Sequence, residues 1–198
     1  MKKQLLLGTT NPAKVSILRS ALAPLPVVVL SLADVGIVLA VEEDGALPKE
    51  NAEKKARAYR AASGLPTLAL DGGLHIQGLP AESQPGPLVR RIPGVAAATD
   101  EQVLDYYERQ LGLLRGQAIA IWTVGMALAI SDERIVTRQF SIESLMIAGK
   151  RGPLVAGAPL DSLRLDPISG KYYSEMAYEE RPGSARYREF VEQYLSEL

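Results

Sequence analysis

The chain has no cysteine, and His75 is its only histidine among 198 residues. The first absence excludes disulfides, thiolate nucleophiles and cysteine-built metal cages. The second leaves a Ser-His-Asp arrangement only one imidazole on which to be built. An excess of one charge is also missing, with 22 Lys+Arg against 23 Asp+Glu. General nucleic-acid binding needs a basic surface that displaces counterions, so nucleic acid is not an expected partner. No long apolar run occurs. The longest, residues 118–130, is well short of the roughly 18–20 needed to span hydrocarbon, so no membrane partner is expected. The start, Met1 to Gly8, has only a three-leucine apolar run, too short for a signal peptide, and the expected location is the cytoplasm. Neither GxxxxGK[ST] nor GxGxxG is present; Gly170-Lys171 is followed by Tyr172 and lacks the upstream glycine. Chemistry must therefore come from carboxylates, lysines, arginines, hydroxyls and backbone amides, with a hard divalent cation held by oxygen as the compatible metal.

What is present reads as alternating strands and helices in one domain, residues 1–198. The 47% hydrophobic content is enough for a sizeable core. Residues 4–8 form a short buried strand, and residues 26–30 a second. Between them Asn11 caps a helix with Pro12 at its first position. Pro48 to Ser63 reads as a helix stopped by Gly64-Leu65-Pro66, and residues 67–70 as a short strand ending in Asp71-Gly72-Gly73. Thr99-Asp-Glu-Gln102 is a capping-box pattern opening a helix to about Leu114. Residues 118–130 and 134–147 read as an antiparallel pair turning at Ser131-Asp-Glu133. A last helix runs from Ser184 to Leu198. Residues 78–94, with four prolines, are the candidate hinge.

Three places can carry chemistry. The first strand, feeding a helix through Thr9, Thr10 and Asn11, presents free backbone amides and the positive end of the helix dipole, with Lys14 one turn in. The same residues also fit an ordinary capped helix with a solvated lysine. Lys55 falls inside the stripe formed by Ala52, Ala56, Tyr59 and Ala62, so it either snorkels or meets an anion. Asp71 stands before two glycines. It is either the first residue of a type I′ turn or a carboxylate at a strand end, where ligands of α/β sheets gather. Glu42-Glu43-Asp44-Gly45 is an acidic loop, which taken alone is a solvated surface. Together, separated carboxylates, lysines and a helix-terminus anion site are the parts needed for metal-assisted attack on a phosphate chain. His75 alternates with apolar neighbours and should point away from the core. Tyr172 and Tyr173 fit either stacking on a base or packing.

Taken in order, these segments resemble the inosine triphosphate pyrophosphatase family. Thr9-Thr-Asn-Pro-Ala-Lys14 is similar to its T-x-N-x-x-K loop. Glu42-Glu-Asp-Gly45 and Glu50-Asn-Ala-Glu-Lys-Lys-Ala56 are similar to E-E-x-G and E-N-A-x-x-K-A. Ala69-Leu-Asp-Gly-Gly-Leu74 matches A-D-D-S-G-L, with Leu70 for the first aspartate and Gly72 for the serine. Gln84-Pro-Gly-Pro87 with Arg91, Asp166-Pro-Ile168 and Gly170-Lys-Tyr-Tyr-Ser-Glu-Met176 resemble later segments.

The resemblance implies an α/β fold with a mixed, strongly twisted sheet, flanking helices and two lobes around a central cleft. It also implies a homodimer and a nucleoside triphosphate as substrate. Water would attack the α-phosphate of a non-standard purine triphosphate such as ITP or XTP with Mg²⁺ or Mn²⁺, giving monophosphate and pyrophosphate. It makes Asp71 the proton acceptor and a metal ligand with Glu42 and Glu43, and Lys55 catalytic. Thr9, Thr10, Asn11, Lys14, Gly72, Arg91, Asp166, Lys171, Arg181 and Arg186 would bind substrate. The departures gather at the base-reading residues: Leu163-Arg-Leu165 stands for F-G-Y, Arg181 for a late lysine, and Ser184-Ala-Arg186 for S-H-R. Loss of base-edge contacts should relax or change specificity, and Arg164 and Arg186 are candidate replacements. Two further readings stay open. One is a relative that binds nucleotide without turnover, motivated by Leu70. The other is a pyrophosphatase for modified pyrimidine triphosphates.

Overall fold

The computed structural model describes residues 3–198. In chain order the elements are β1 (Lys3–Leu7), α1 (Pro12–Leu22), β2 (Val27–Ser31), α2 (Pro48–Ser63), β3 (Thr67–Ile76), α3 (Asp100–Leu113), β4 (Gln117–Ala129), β5 (Ile135–Ile147), β6 (Arg164–Leu165) and α4 (Ser184–Glu192). The six strands form one mixed sheet in the order β2-β1-β3-β4-β5-β6. β1 is parallel to β2 and to β3, and β5 is antiparallel to β6. This is the expected mixed α/β class.

Local chemistry explains the element boundaries. Asn11 caps α1, its side-chain oxygen accepting from the Lys14 amide at 3.1 Å, with Pro12 where no donor is needed. α2 starts at Pro48, and the Glu50 carboxylate accepts from the Leu47 amide at 3.1 Å. It ends at Gly64 with φ 72°, a left-handed cap that suits glycine. Thr99 and Gln102 form the expected capping box of α3. Ile130 donates to the Arg134 carbonyl at 2.9 Å, closing the turn between neighbouring strands β4 and β5.

Three boundaries differ from expectation. β3 does not stop at Leu70 but runs through Asp71 and both glycines to Ile76, so Asp71 is not in a hairpin turn. The strand continues because Leu74 and Ile76 resume the buried alternation after the glycines, while His75 between them is exposed. α4 ends at Glu192, and residues 193–197 continue as turns, with the Tyr194 amide bonded to the Val191 carbonyl at 3.0 Å. The proline-rich segment 78–94 is no hinge. It is stitched to the end of β3 by a reciprocal Leu74–Gly86 backbone pair and by Gln84, whose side chain bonds both the amide and the carbonyl of Ile76.

The chain divides into two compact units, and the crossings fall inside β3, β4 and β5 and just before α4 instead. One unit comprises Met1–Gly72, Val124–Phe140 and Gly183–Leu198; the other comprises Gly73–Thr123 and Ser141–Pro182. In the first, Leu5, Leu7, Leu68, Met126 and Leu128 of the sheet bury against Leu18 and Leu22 of α1 and Phe190 and Val191 of α4. Gly125 is required there: a Cβ would lie 2.3 Å from the Lys49 nitrogen and 2.4 Å from the Pro48 carbonyl carbon. The first turn of α2 thus rests directly on β4. In the second unit, Leu74, Ile76, Ala120 and Met146 pack with Val103, Tyr107 and Leu111 of α3.

Candidate active site

β3 carries Asp71 in the first unit, where it is 4% exposed. An isolated carboxylate would be costly there, and three side chains answer it. From α2, Lys55 donates to Asp71 Oδ1 at 2.9 Å. From α1, the Lys14 ammonium lies 3.4 Å from the same oxygen and 3.3 Å from the Leu70 carbonyl. Also from α2, Asn51 Nδ2 donates to Asp71 Oδ2 at 3.2 Å. Burial alone raises the carboxyl's pKa. The charges of Lys14 and Lys55 and the hydrogen bonds from Lys55 and Asn51 outweigh burial, so Asp71 is held below the usual carboxylate value. Lys14 is held below the usual lysine value by desolvation first and by repulsion from Lys55 second, against the pull of Asp71 and Glu43.

The alternatives left open for Lys55 are thereby decided, while Asp71, in the middle of β3, stands neither in a turn nor at a strand end. Lys55 does not snorkel; it is 5% exposed and meets an anion. Its ammonium also lies 3.4 Å from Glu43 Oε2, so two carboxylates from separate elements converge on one cation. The acidic loop is held in place by α2. The Gly45 amide donates to Asn51 Oδ1 at 2.7 Å, Lys54 pairs with Asp44, and the Tyr59 hydroxyl donates to the Leu39 carbonyl at 3.0 Å. Glu42 is exposed and makes no ion pair among the described residues.

Hard oxygen donors of this kind suit Mg²⁺, which takes one or two carboxylates and draws its remaining ligands from phosphates and water. Among the described residues no three Asp, Glu or His side chains close a cage of their own. The donor set therefore fits a cation shared with a phosphate ligand. At the mouth of α1, Thr9 Oγ1 accepts from the Asn11 amide at 3.2 Å, while Thr10 is exposed. Gly72 has open space where a Cβ would stand.

The family model described as Ham1 family matches residues 5–188. The chain belongs to the Ham1 family. A Thermus thermophilus protein named dITP/XTP pyrophosphatase is 36% identical over 185 residues, 93% of this chain and 84% of that protein. A Bacillus subtilis protein of the same name is 29% identical over 150 residues, 76% of this chain and 75% of that one. Among solved structures, a HAM1 protein from Coxiella burnetii superposes with TM-score 0.73 at 24% identity, covering 98% of this chain and 97% of that chain. This is the family that the ordered motifs resemble.

The remaining expected substrate residues of this Ham1-family chain divide between the two units. Arg186, on α4 in the first unit, lies over the Phe140 ring, 4.8 Å from its centroid. In the second unit Arg91 is exposed, and Lys171 pairs with Glu180 at 3.4 Å. Asp166 caps a turn, accepting from the Ser169 amide at 2.9 Å. Burial would raise its pKa, and the hydrogen bonds of that turn hold it below the usual value instead. Arg181 is buried, donating to Asp161 at 2.7 Å and to the Tyr173 carbonyl at 2.6 Å. Arg164, which stands in the F-G-Y position, stacks 3.8 Å from the Tyr173 centroid and 4.6 Å from that of Trp122. Tyr173 is therefore a packing residue, 2% exposed.

Sequence reasoning did not single out Asn51. A signal existed: Asn51 stands four positions before Lys55, which puts both polar groups on the same buried helix face.

Proposed function

We propose that this chain is a nucleoside triphosphate pyrophosphohydrolase acting on non-standard purine triphosphates of the ITP/XTP type. Water adds to the α-phosphorus, the bond to the bridging oxygen breaks, and monophosphate and pyrophosphate leave. The single observation that carries this reading is the Asp71–Lys14–Lys55 cluster of a Ham1-family chain. There a buried carboxylate is held ionised by two ammonium groups that a triphosphate would also attract. The names of its relatives supply the substrate class.

Each residue has a role in that reading. Lys14 and Lys55 neutralise the phosphate chain, and the amides and hydroxyls of residues 9–11 receive its oxygens at the N-terminus of α1. As the phosphates engage the lysines, Asp71 Oδ1 is released from Lys14 and Lys55 and can accept a proton from the attacking water. Asp71, Glu43 and Glu42 would hold Mg²⁺, which when bound supplies charge neutralisation at the phosphoryl oxygens. Leu70, which replaces a family carboxylate, is buried in the core of the first unit and leaves Asp71 as the carboxylate of β3. A homodimer and a cytoplasmic location complete the proposal.

The test is a panel of about twenty nucleoside triphosphates with Mg²⁺ or Mn²⁺, assayed for pyrophosphate. Release from ITP, dITP or XTP, lost in Asp71→Asn, is the expected result. No pyrophosphate from any member of the panel overturns the reading.

A further inference from the structure

We propose that Asn51 is a positioning residue, whose buried carboxamide ties the acidic loop 42–45 to Asp71 and keeps that carboxylate oriented while substrate draws the lysines away. The inference rests on the pyrophosphohydrolase reading above.

Asn51 is 1% exposed, and its two ends face different elements. Its Oδ1 accepts from the Gly45 amide at 2.7 Å. Its Nδ2 donates to Asp71 Oδ2 at 3.2 Å and lies 3.5 Å from the Gly45 carbonyl. One orientation of the amide satisfies these partners. Flipped, it would set a donor against the Gly45 N–H and an acceptor against a carboxylate. The loop is shaped to this contact, because a Cβ on Gly45 would lie 2.6 Å from Asn51 Oδ1.

The division of labour at Asp71 gives the contact its function. Oδ1 faces Lys55 and Lys14, and Oδ2 faces Asn51. The lysine contacts use charges that phosphates compete for. The amide carries no charge, so an arriving triphosphate leaves it in place. Glu43, which shares Lys55 with Asp71, sits two residues before Gly45, so one side chain sets the spacing between β3 and the loop that carries the second carboxylate.

The test uses the full chain as wild type, Asn51→Ala, Gly45→Ala and the double variant. Gly45→Ala pushes on the same contact from the loop side and keeps the proposal falsifiable if Asn51→Ala folds poorly. Three readouts are combined: steady-state pyrophosphate release from ITP, hydrogen exchange of the Gly45 amide without metal, and binding of a non-hydrolysable triphosphate analogue in chelator. In Asn51→Ala, exchange at Gly45 rises by at least about 10-fold, since the amide has lost its buried acceptor. Its kcat falls on the order of 10- to 100-fold with KM within about 3-fold. Analogue binding without metal is unchanged, because the lysines remain. Gly45→Ala lowers kcat in the same way, and the double variant is no worse than the more damaged single one.

Wild-type-like exchange at Gly45, a kcat loss matched by an equal loss of analogue binding, or full additivity in the double variant overturns the proposal. A wild type that releases no pyrophosphate overturns the enzymatic reading, and the role of Asn51 in catalysis with it. The exchange measurement reports separately on the tie to the loop.

Discussion

Replacing Lys55 by methionine removes an ammonium group and keeps most of the side-chain volume. The lysine side chain is 6% exposed, with its Nζ 2.9 Å from Asp71 and 3.4 Å from Glu43. Taking one partner from a buried ion pair commonly costs about 3–5 kcal/mol, because the other charge is left uncompensated. Here Asp71 keeps Lys14 at 3.4 Å and Asn51 at 3.2 Å, and Lys14 is freed from repulsion by Lys55. The expected loss is therefore smaller, about 1–2 kcal/mol. For a chain of this size that lowers Tm by roughly 2–8 °C, read by calorimetry.

The titration of Lys14 separates charge from packing in the same variant. Its pKa is depressed by desolvation and by Lys55, so removal of Lys55 moves it toward the ordinary 10.5. A lysine with a depressed folded-state pKa costs stability below that value, and the cost is relieved as pH rises through the folded pKa toward the ordinary one. Lys55→Met therefore gains less stability over that alkaline window than wild type does. NMR titration of the Lys14 ammonium and unfolding at several pH values check both effects. A variant matching wild type in Tm and in the Lys14 titration would refute the buried-cluster reasoning.

Further expectations follow from other parts of the structure. Gly125→Ala sets a Cβ against the backbone of Pro48 and Lys49, which cannot swing aside. It should cost about 1–3 kcal/mol or more, read by denaturant unfolding. Asp161 has a raised pKa because burial outweighs Arg181 and Arg164, so its contribution to stability is fully present below the ordinary 3.8 and lost as pH rises through the raised folded value. Asp161→Asn should flatten the gain in stability that this group gives on acidification through that window. Asp71 works in the opposite sense, since its stabilising contribution is lost only as pH falls below the ordinary 3.8.

The helices and the first strands were legible in the sequence because each carried its own local signal: Asn11-Pro12 for α1, Gly64 after α2, Thr99 and Gln102 for α3. Lys55 was legible for the same reason, as a charge inside an apolar stripe. What local pattern could not supply was decided at long range. Asp-Gly-Gly reads as a turn until Leu74 and Ile76 find a core to enter, and then β3 continues through it. Asn51 hid inside a motif because its partners, Gly45 and Asp71, lie in a loop and in a strand. Arg181, which the resemblance aligned with a family lysine, binds Asp161, a residue no motif had marked.

The most direct test of the central claim is hydrolysis of ITP in ¹⁸O-labelled water, followed by mass analysis of both products. Attack at the α-phosphorus puts the label in inosine monophosphate and leaves pyrophosphate unlabelled, which is the expected result. Label in pyrophosphate, or release of orthophosphate in its place, would contradict it.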